Sequence, residues 1–147
     1  MRAGFSGGSS AEMTITAWST FDTMMCSCRW LAREIVARVP EVTYLGHATE
    51  RLPGNVAFTV RYVEGESLLL RLDAAGFMVS TGSACAAGSS EPSHVLLAMG
   101  VAGEETHGSM RVSLGRENTG EEVDAFLGAF PPIVDKLRQM SPLYVKG

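Results

Sequence analysis

Residues 64–90, EGESLLLRLDAAGFMVSTGSACAAGSS, set a helix, a short apolar segment and a run of small residues in direct succession. Acidic residues in the first turn and a glycine just past the last turn predict a helix over 64–75. The segment 77–80 is short and apolar enough for an inner strand. Residues 81–90 carry no charge and no large side chain, so we predict a mobile, exposed loop around Cys85.

The residues before this stretch predict one helix and two strands. Apolar positions recur at helical spacing over 30–38, and apolar and polar residues alternate over 56–60 after a briefer strand at 42–45. Residues 1–29 show no sustained period of either kind. We interpret 1–29 as a disordered leader and 30–147 as the folded domain.

The residues after the stretch predict two helices and a further strand. A short helix is expected over 92–99 and a strand over 110–114. A capping box at Thr119 begins a last helix whose apolar stripe continues to the end, with a kink or a break at the proline pair 131–132. This order indicates an α/β fold of the two-layer α+β kind, with a small mixed sheet and helices mainly on one face.

Length and charge exclude several classes of function. The 147 residues fit one domain, and the formal net charge of −4 comes without a dense Lys/Arg cluster, so we expect no nucleic-acid partner. No apolar run approaches the roughly 18 residues that would span a bilayer, so we expect no membrane partner. The three cysteines suit free thiols in a reducing compartment, and we expect a cytoplasmic protein.

Several motifs then resemble one family. STGSAC at 80–85, EPSHVLLAMG at 91–100 and SMRVSLGR at 109–116, flanked by RLPGNVAFTV at 51–60 and MSPLY at 140–144, resemble the C-terminal part of pyridoxal-phosphate-dependent cysteine desulfurases. These enzymes belong to the class V aminotransferases. The resemblance runs in order through most of the chain after the leader. It implies the small C-terminal domain of the fold-type I pyridoxal-phosphate-dependent transferases.

The resemblance also implies a reaction and two site residues. In such enzymes a mobile thiolate attacks the sulfur of L-cysteine while the cofactor acts as an electron sink. L-Alanine leaves, and the enzyme persulfide passes its outer sulfur to acceptors such as iron–sulfur scaffold or tRNA-thiolation proteins. Cys85 matches the family's nucleophile, and Arg111 matches the residue that binds the substrate carboxylate.

The chemistry of these two residue types agrees with that assignment, although simpler roles stay open. A thiol on an exposed tether can reach a substrate, whereas a lone cysteine is more often a small buried hydrophobe. Arginine offers carboxylates a planar bidentate fork, whereas a strand arginine can also form a weak surface ion pair. Structural roles are expected for the three histidines, His47, His94 and His107. The Cys-x-Cys pair, Cys26 and Cys28, supplies too few ligands for a zinc site, so we expect no metal site.

The chain has few groups that could hold pyridoxal phosphate. Its two lysines, Lys136 and Lys146, lie in the last helix and next to the C-terminus, and no Gly/Ser/Thr cup for a phosphate opens a helix. We therefore expect a truncated or split enzyme that lacks the large cofactor-binding domain and is inactive alone. It would work with a complementary large domain or a homodimer partner. A non-catalytic persulfide carrier or binding module, or a structural remnant, are the alternatives.

Overall fold

The structure, a computed structural model, describes residues 20–81, 92–142 and 144. The described part holds five helices and three strands, in the order α1 (Thr20–Arg38), β1 (Val42–Tyr44), β2 (Asn55–Val60), α2 (Gly65–Ala74), α3 (His94–Ala98), α4 (Gly103–Thr106), β3 (Ser109–Ser113) and α5 (Gly120–Met140). None of these helices has the length and apolar character needed to cross a bilayer.

The three strands form one sheet in the order β1-β2-β3, and both pairs are antiparallel. Phe58 in the central strand lies opposite Tyr44 on one side and Met110 on the other. The predicted fold class is confirmed by this arrangement of a small sheet and helices. The sheet was expected to be mixed, and this detail was wrong for the described strands, because each strand reverses the direction of its neighbour.

Helices α1, α2 and α5 cover one face of the sheet. The apolar side chains of alternate strand positions face these helices, because successive residues of a strand point to opposite faces. The Phe58 ring and the Phe130 ring of α5 pack nearly perpendicular to each other, with 5.5 Å between centroids. The core therefore lies between this face and the three helices, and its central members are Leu31, Ile35, Val56, Phe58, Val60, Leu68, Leu72, Met110, Leu127, Phe130 and Val134.

Segment 77–80 differs from its predicted role as an inner strand. Only Ser80 pairs with the sheet, through a single bridge to Arg111. Met78 is 92% exposed, while the Phe77 ring packs edge-on against Phe126 with 5.4 Å between centroids. Phe77 and Val79 pack against the core, and one bridge joins the segment to the sheet, so it is not an inner strand.

Helix α1 begins at Thr20, ten residues before the predicted start at Trp30. Residues 20–29 thus belong to a helix and not to a loose leader, while residues 1–19 lie outside the described residues. Cys28 is buried in the core together with Leu31. Packing of Cys28 in the core stabilises this end of the helix, because most helical stability in proteins comes from packing.

Helix α5 runs without a break through Pro131 and Pro132. Pro131 has no N–H to donate to the Leu127 carbonyl, which is its usual partner four residues earlier. Arg38 of α1 lies in that place, with its Nη1 donating to the Leu127 oxygen at 3.4 Å. Of the predicted kink or break, the break into two helices is wrong, because α5 continues through both prolines.

Gly108 connects α4 to β3 at a point of close backbone approach. Its carbonyl accepts the Val60 N–H at 2.9 Å, and a Cβ at position 108 would overlap the Val60 carbonyl oxygen. A residue without a side chain is required there. This close approach of the Gly108 and Val60 backbones fixes the start of β3, the strand that carries Arg111.

Candidate functional site

Arg111 lies on the face of the sheet opposite the helical core. It is paired with Ala57 in β2, and its neighbours Met110 and Val112 point inward and are buried. The alternation of strand side chains therefore turns the guanidinium outward, where it is exposed. The small side chain of Ala57 leaves space beside it.

Ser80 fixes the backbone of Arg111 from the free edge of β3. The Ser80 N–H donates to the Arg111 carbonyl at 3.0 Å, and the Arg111 N–H donates to the Ser80 carbonyl at 2.7 Å. Arg111 Nη2 also donates to Ser80 Oγ at 3.4 Å. Sequence reasoning missed Ser80, since nothing in a single serine signals which strand it will meet.

The Arg111 guanidinium forms no ion pair within residues 20–81 and 92–142. The alternative of a weak surface ion pair therefore finds no partner in that part of the chain. A guanidinium has five N–H donors in a fixed fork that matches the two oxygens of a carboxylate. The arrangement at Arg111 can bind a small carboxylate from the solvent side of the sheet.

Cys85, the predicted nucleophile, lies outside the described residues, which stop at Thr81 and resume at Pro92. Thr81 directly follows Ser80, the residue bridged to Arg111. The chain therefore enters the Cys85-bearing segment beside the arginine. The structure places one of the two predicted site residues and the point from which the other departs.

Cys28 is a core thiol. It is 7% exposed, and burial raises the pKa of its thiol above the ordinary value, against smaller opposing effects of the Gly54 backbone N–H and the Arg51 charge. A raised pKa keeps the thiol protonated near neutral pH, and the protonated form is a poor nucleophile. Cys28 is therefore suited to packing rather than to catalysis.

His47 makes a local contact through its ring, and His107 makes a long-range contact through its backbone. His47 Nδ1 accepts the backbone N–H of Glu50 at 2.8 Å, and the His107 carbonyl accepts the Gly65 N–H at 2.8 Å. Within the described residues, no group of three or more His, Cys, Asp or Glu side chains could hold a metal ion.

Lys136 is exposed on α5, one of the helices that cover the core face of the sheet, whereas Arg111 points from the other face. It borders a cavity of about 340 Å³ between α2 and α5, with Arg71, Ala74, Ala75, Pro132 and Ile133. A Schiff-base lysine must stand near the group that binds its substrate. The described residues therefore do not fit a pyridoxal-phosphate site.

Comparison with known proteins connects this geometry to a family. A family model described as aminotransferase class-V matches residues 25–126. The cysteine desulfurase IscS of Methanosarcina thermophila is 56% identical over 113 residues, which are 77% of this chain and 28% of that protein. The cysteine desulfurase IscS 1 of Archaeoglobus fulgidus is 43% identical over 137 residues, which are 93% of this chain and 36% of that protein.

Solved structures show the same likeness in three dimensions. A NifS-like protein superimposes with a TM-score of 0.68 at 27% identity, over 80% of this chain and 29% of that chain. The NifS-like protein of Rickettsia africae gives a TM-score of 0.62 at 28% identity, over 77% of this chain and 29% of that chain. The chain thus spans between 28% and 36% of the length of the two curated relatives described above.

Proposed function

The chain belongs to the aminotransferase class-V family, and from this premise we propose that it supplies the sulfur-accepting thiol and the carboxylate-binding arginine of a cysteine desulfurase. Cys85 is the proposed nucleophile and Arg111 the proposed carboxylate anchor. In this proposal the part of the chain from α1 onward corresponds to the small C-terminal domain. The homologues named cysteine desulfurase support this choice of reaction.

The proposed reaction transfers one sulfur atom. The Cys85 thiolate attacks the sulfur of L-cysteine, an S–S bond forms, and the C–S bond of the substrate breaks. The released carbon takes up a proton, so that the products are L-alanine and a persulfide on Cys85. The described residues do not fit pyridoxal phosphate, and we therefore assign the cofactor to a lysine-bearing part of the enzyme, either a complementary large domain or a homodimer partner.

The observation that carries the proposal is the bridge between Ser80 and Arg111. Cys85 follows Thr81 by four residues, and a fully extended chain spans at most about 3.6 Å per residue. The Cα atoms of Thr81 and Cys85 are therefore at most about 14 Å apart. Covalent connection therefore keeps the thiol in the neighbourhood of the strand that holds the guanidinium. One amino acid can be held at its carboxylate by Arg111 while its sulfur meets Cys85.

A persulfide carrier is the second candidate. It is favoured by one observation, the position of Lys136 away from Arg111, because a carrier needs the thiol and no cofactor. A carrier would take sulfur from a separate desulfurase and would need no carboxylate anchor. Sulfur transfer to Cys85 that is unaffected by the loss of the Arg111 guanidinium would favour this function.

A chimeric enzyme tests the proposal directly. The matched segment of the Methanosarcina thermophila relative is replaced by this chain, and L-alanine released from L-cysteine is quantified. We expect turnover in the chimera, its loss in Cys85→Ser, and its retention in the matched control Cys28→Ala. Turnover that survives in Cys85→Ser would overturn the assignment of the nucleophile.

The fate of the sulfur belongs to the same proposal. We propose that the Cys85 persulfide passes its outer sulfur to cytoplasmic acceptor proteins, such as iron–sulfur cluster scaffolds or proteins of tRNA thiolation. The name IscS shared by several relatives supports this choice. Radiolabelled sulfur from L-cysteine that reaches a scaffold protein through the chimera, and not through its Cys85→Ser form, is the expected result.

A further inference from the structure

Arg138, in the last turn of α5, is a buried arginine whose guanidinium binds carbonyl groups. Its side chain is 0% exposed. Nη2 donates to the Pro40 carbonyl at 2.7 Å, and Nε donates to the Arg61 carbonyl at 3.2 Å. It forms no ion pair within the described part of the chain, and there its Nη1 is buried without a partner. Burying a charge without a counter-ion is unfavourable, so the two carbonyl contacts must matter to the fold.

Each of the two carbonyls belongs to the residue just before a left-handed backbone position. Glu41 has a φ of 56° and Tyr62 a φ of 65°, and these are the non-glycine residues with positive φ in the described part of the chain. Residues with a Cβ avoid this region. Because the peptide group is planar, the φ of Glu41 orients the Pro40 carbonyl, and the φ of Tyr62 orients the Arg61 carbonyl.

The two turns are adjacent in space. The Arg61 N–H donates to the Glu41 carbonyl at 3.0 Å, and Arg61 Nη1 pairs with Glu41 Oε2 at 3.1 Å. Val42 and Val60, the strand residues next to the turns, are partners in the sheet. One turn leads from α1 into β1 and the other leads from β2 to α2, so both lie at the same end of the sheet.

The C-terminal segment meets the same cluster. The Tyr144 ring lies 5.5 Å from Arg138 Cζ and 5.6 Å from the Tyr62 ring. A guanidinium over an aromatic face is attracted by the electrons of the ring. Arg138 therefore contacts three separate parts of the chain, two strained turns and the segment that follows α5.

We propose that Arg138 is a conformational lock for the two left-handed turns. Its guanidinium holds the Pro40 and Arg61 carbonyls in the orientation that positive φ at Glu41 and Tyr62 demands. The lock thereby sets how α1 joins β1 and how β2 joins α2. Lysine cannot replace it, because a single ammonium on a flexible stem lacks the planar fork that reaches both oxygens at once.

A thermodynamic cycle at position 41 tests the lock. Glu41→Gly and Glu41→Ala both remove the ion pair with Arg61, and only alanine is strained by a positive φ. With Arg138 present, we expect the Gly variant to have a folding equilibrium constant about fivefold or more above that of the Ala variant. In an Arg138→Met background the ratio should fall to about one or reverse, because the released turn can relax and glycine then loses its advantage.

An unchanged ratio in the Arg138→Met background would overturn the lock. Arg71→Met, which changes an exposed arginine on α2, is the matched control and should leave the ratio as it is. If Arg138→Met does not fold, Arg138→Lys takes its place in the cycle. Backbone chemical shifts of Glu41 and Tyr62 then give a second readout: we expect them to leave left-handed values in Arg138→Lys, and their retention would contradict the proposal.

Discussion

At the scale of single residues, the proposed role of Arg111 as a carboxylate anchor depends on the shape of its guanidinium. Arg111 is exposed on a strand, its backbone N–H and carbonyl are hydrogen-bonded to Ser80, and Ala57 lies opposite it in β2. Lysine would keep the positive charge and lose the bidentate fork. Replacing Arg111 by lysine therefore separates the effect of the bidentate hydrogen bonds from the effect of the positive charge.

We predict that Arg111→Lys in the chimeric enzyme raises the KM for L-cysteine by about tenfold or more, since hydrogen bonds to charged groups contribute about 1.5–3 kcal/mol. Steady-state alanine formation measures the change. Arg116→Lys, five residues later and exposed, is the control and should leave KM within about twofold. A KM unaffected by Arg111→Lys would show that the carboxylate is bound elsewhere.

A second prediction at this scale concerns Cys28. Burial raises the pKa of its thiol above the ordinary value of 9.0, so the folded chain binds this proton more tightly than the unfolded chain does. The resulting stability is fully present below pH 9.0 and is lost as the pH rises through the raised value. The free energy of unfolding should therefore fall more steeply above pH 9 in the parent chain than in Cys28→Ala. Parallel pH profiles for the two chains would contradict this.

Some residue roles could be read from the sequence and others could not. Arg111 stands in an alternating segment, so its outward direction follows from the period of a strand. Arg138 follows the buried residues Phe130 and Val134 at the same four-residue spacing. This spacing indicates burial, but an arginine is not expected in a core, so the pattern was overlooked. Ser80 gave no signal, because its partner is 31 residues away in the chain.

At the scale of helices and strands, the start of α5 is the most explicitly encoded feature. Thr119 accepts the Glu122 N–H, and the Glu122 carboxylate accepts the Thr119 N–H at 2.9 Å, which together form the predicted capping box. The Thr119 N–H, and then the Asn118 amide, hold the pKa of Glu122 below its ordinary value. A capping box can be predicted from the sequence because both of its partners lie within one turn of the helix.

We predict that Thr119→Ala lowers the free energy of unfolding by about 1 kcal/mol, the usual effect of losing an N-cap side chain. Urea denaturation at neutral pH measures it, with Ser113→Ala as a control that should change stability by less than about 0.5 kcal/mol. Because the carboxylate of Glu122 has a lowered pKa, its share of the cap should disappear as the pH falls below 4.5. A Thr119→Ala chain as stable as the parent would mean that packing alone starts α5.

Helices that depend on contacts with distant parts of the chain were harder to predict from the sequence. The prediction of a kink or a break at the proline pair 131–132 did not include Arg38, which donates to the Leu127 carbonyl from another helix. The four residues of α4 are too few to show a period, and the core position of Cys28 in α1 is not visible in the sequence pattern. Patterns within a segment were thus informative, whereas contacts between segments were not.

At the scale of the whole molecule, the described residues hold the proposed carboxylate anchor, Arg111, and do not fit the cofactor. We predict that the isolated chain, incubated with pyridoxal phosphate and L-cysteine, releases no L-alanine above a control without protein. The reason is that Cys85 would then have to break a C–S bond without an electron sink. Alanine formation that is lost in Cys85→Ser would show that the chain holds a complete site.

The most direct measurement is the location of the transferred sulfur. The chimeric enzyme is exposed briefly to L-cysteine, and its thiols and persulfides are then alkylated. The protein is digested, and the mass of each cysteine-containing peptide is measured by mass spectrometry. We predict one additional sulfur atom on the peptide that contains Cys85 and none on the peptides of Cys26 and Cys28. Alanine release with the extra sulfur on another cysteine, or on none, would contradict it.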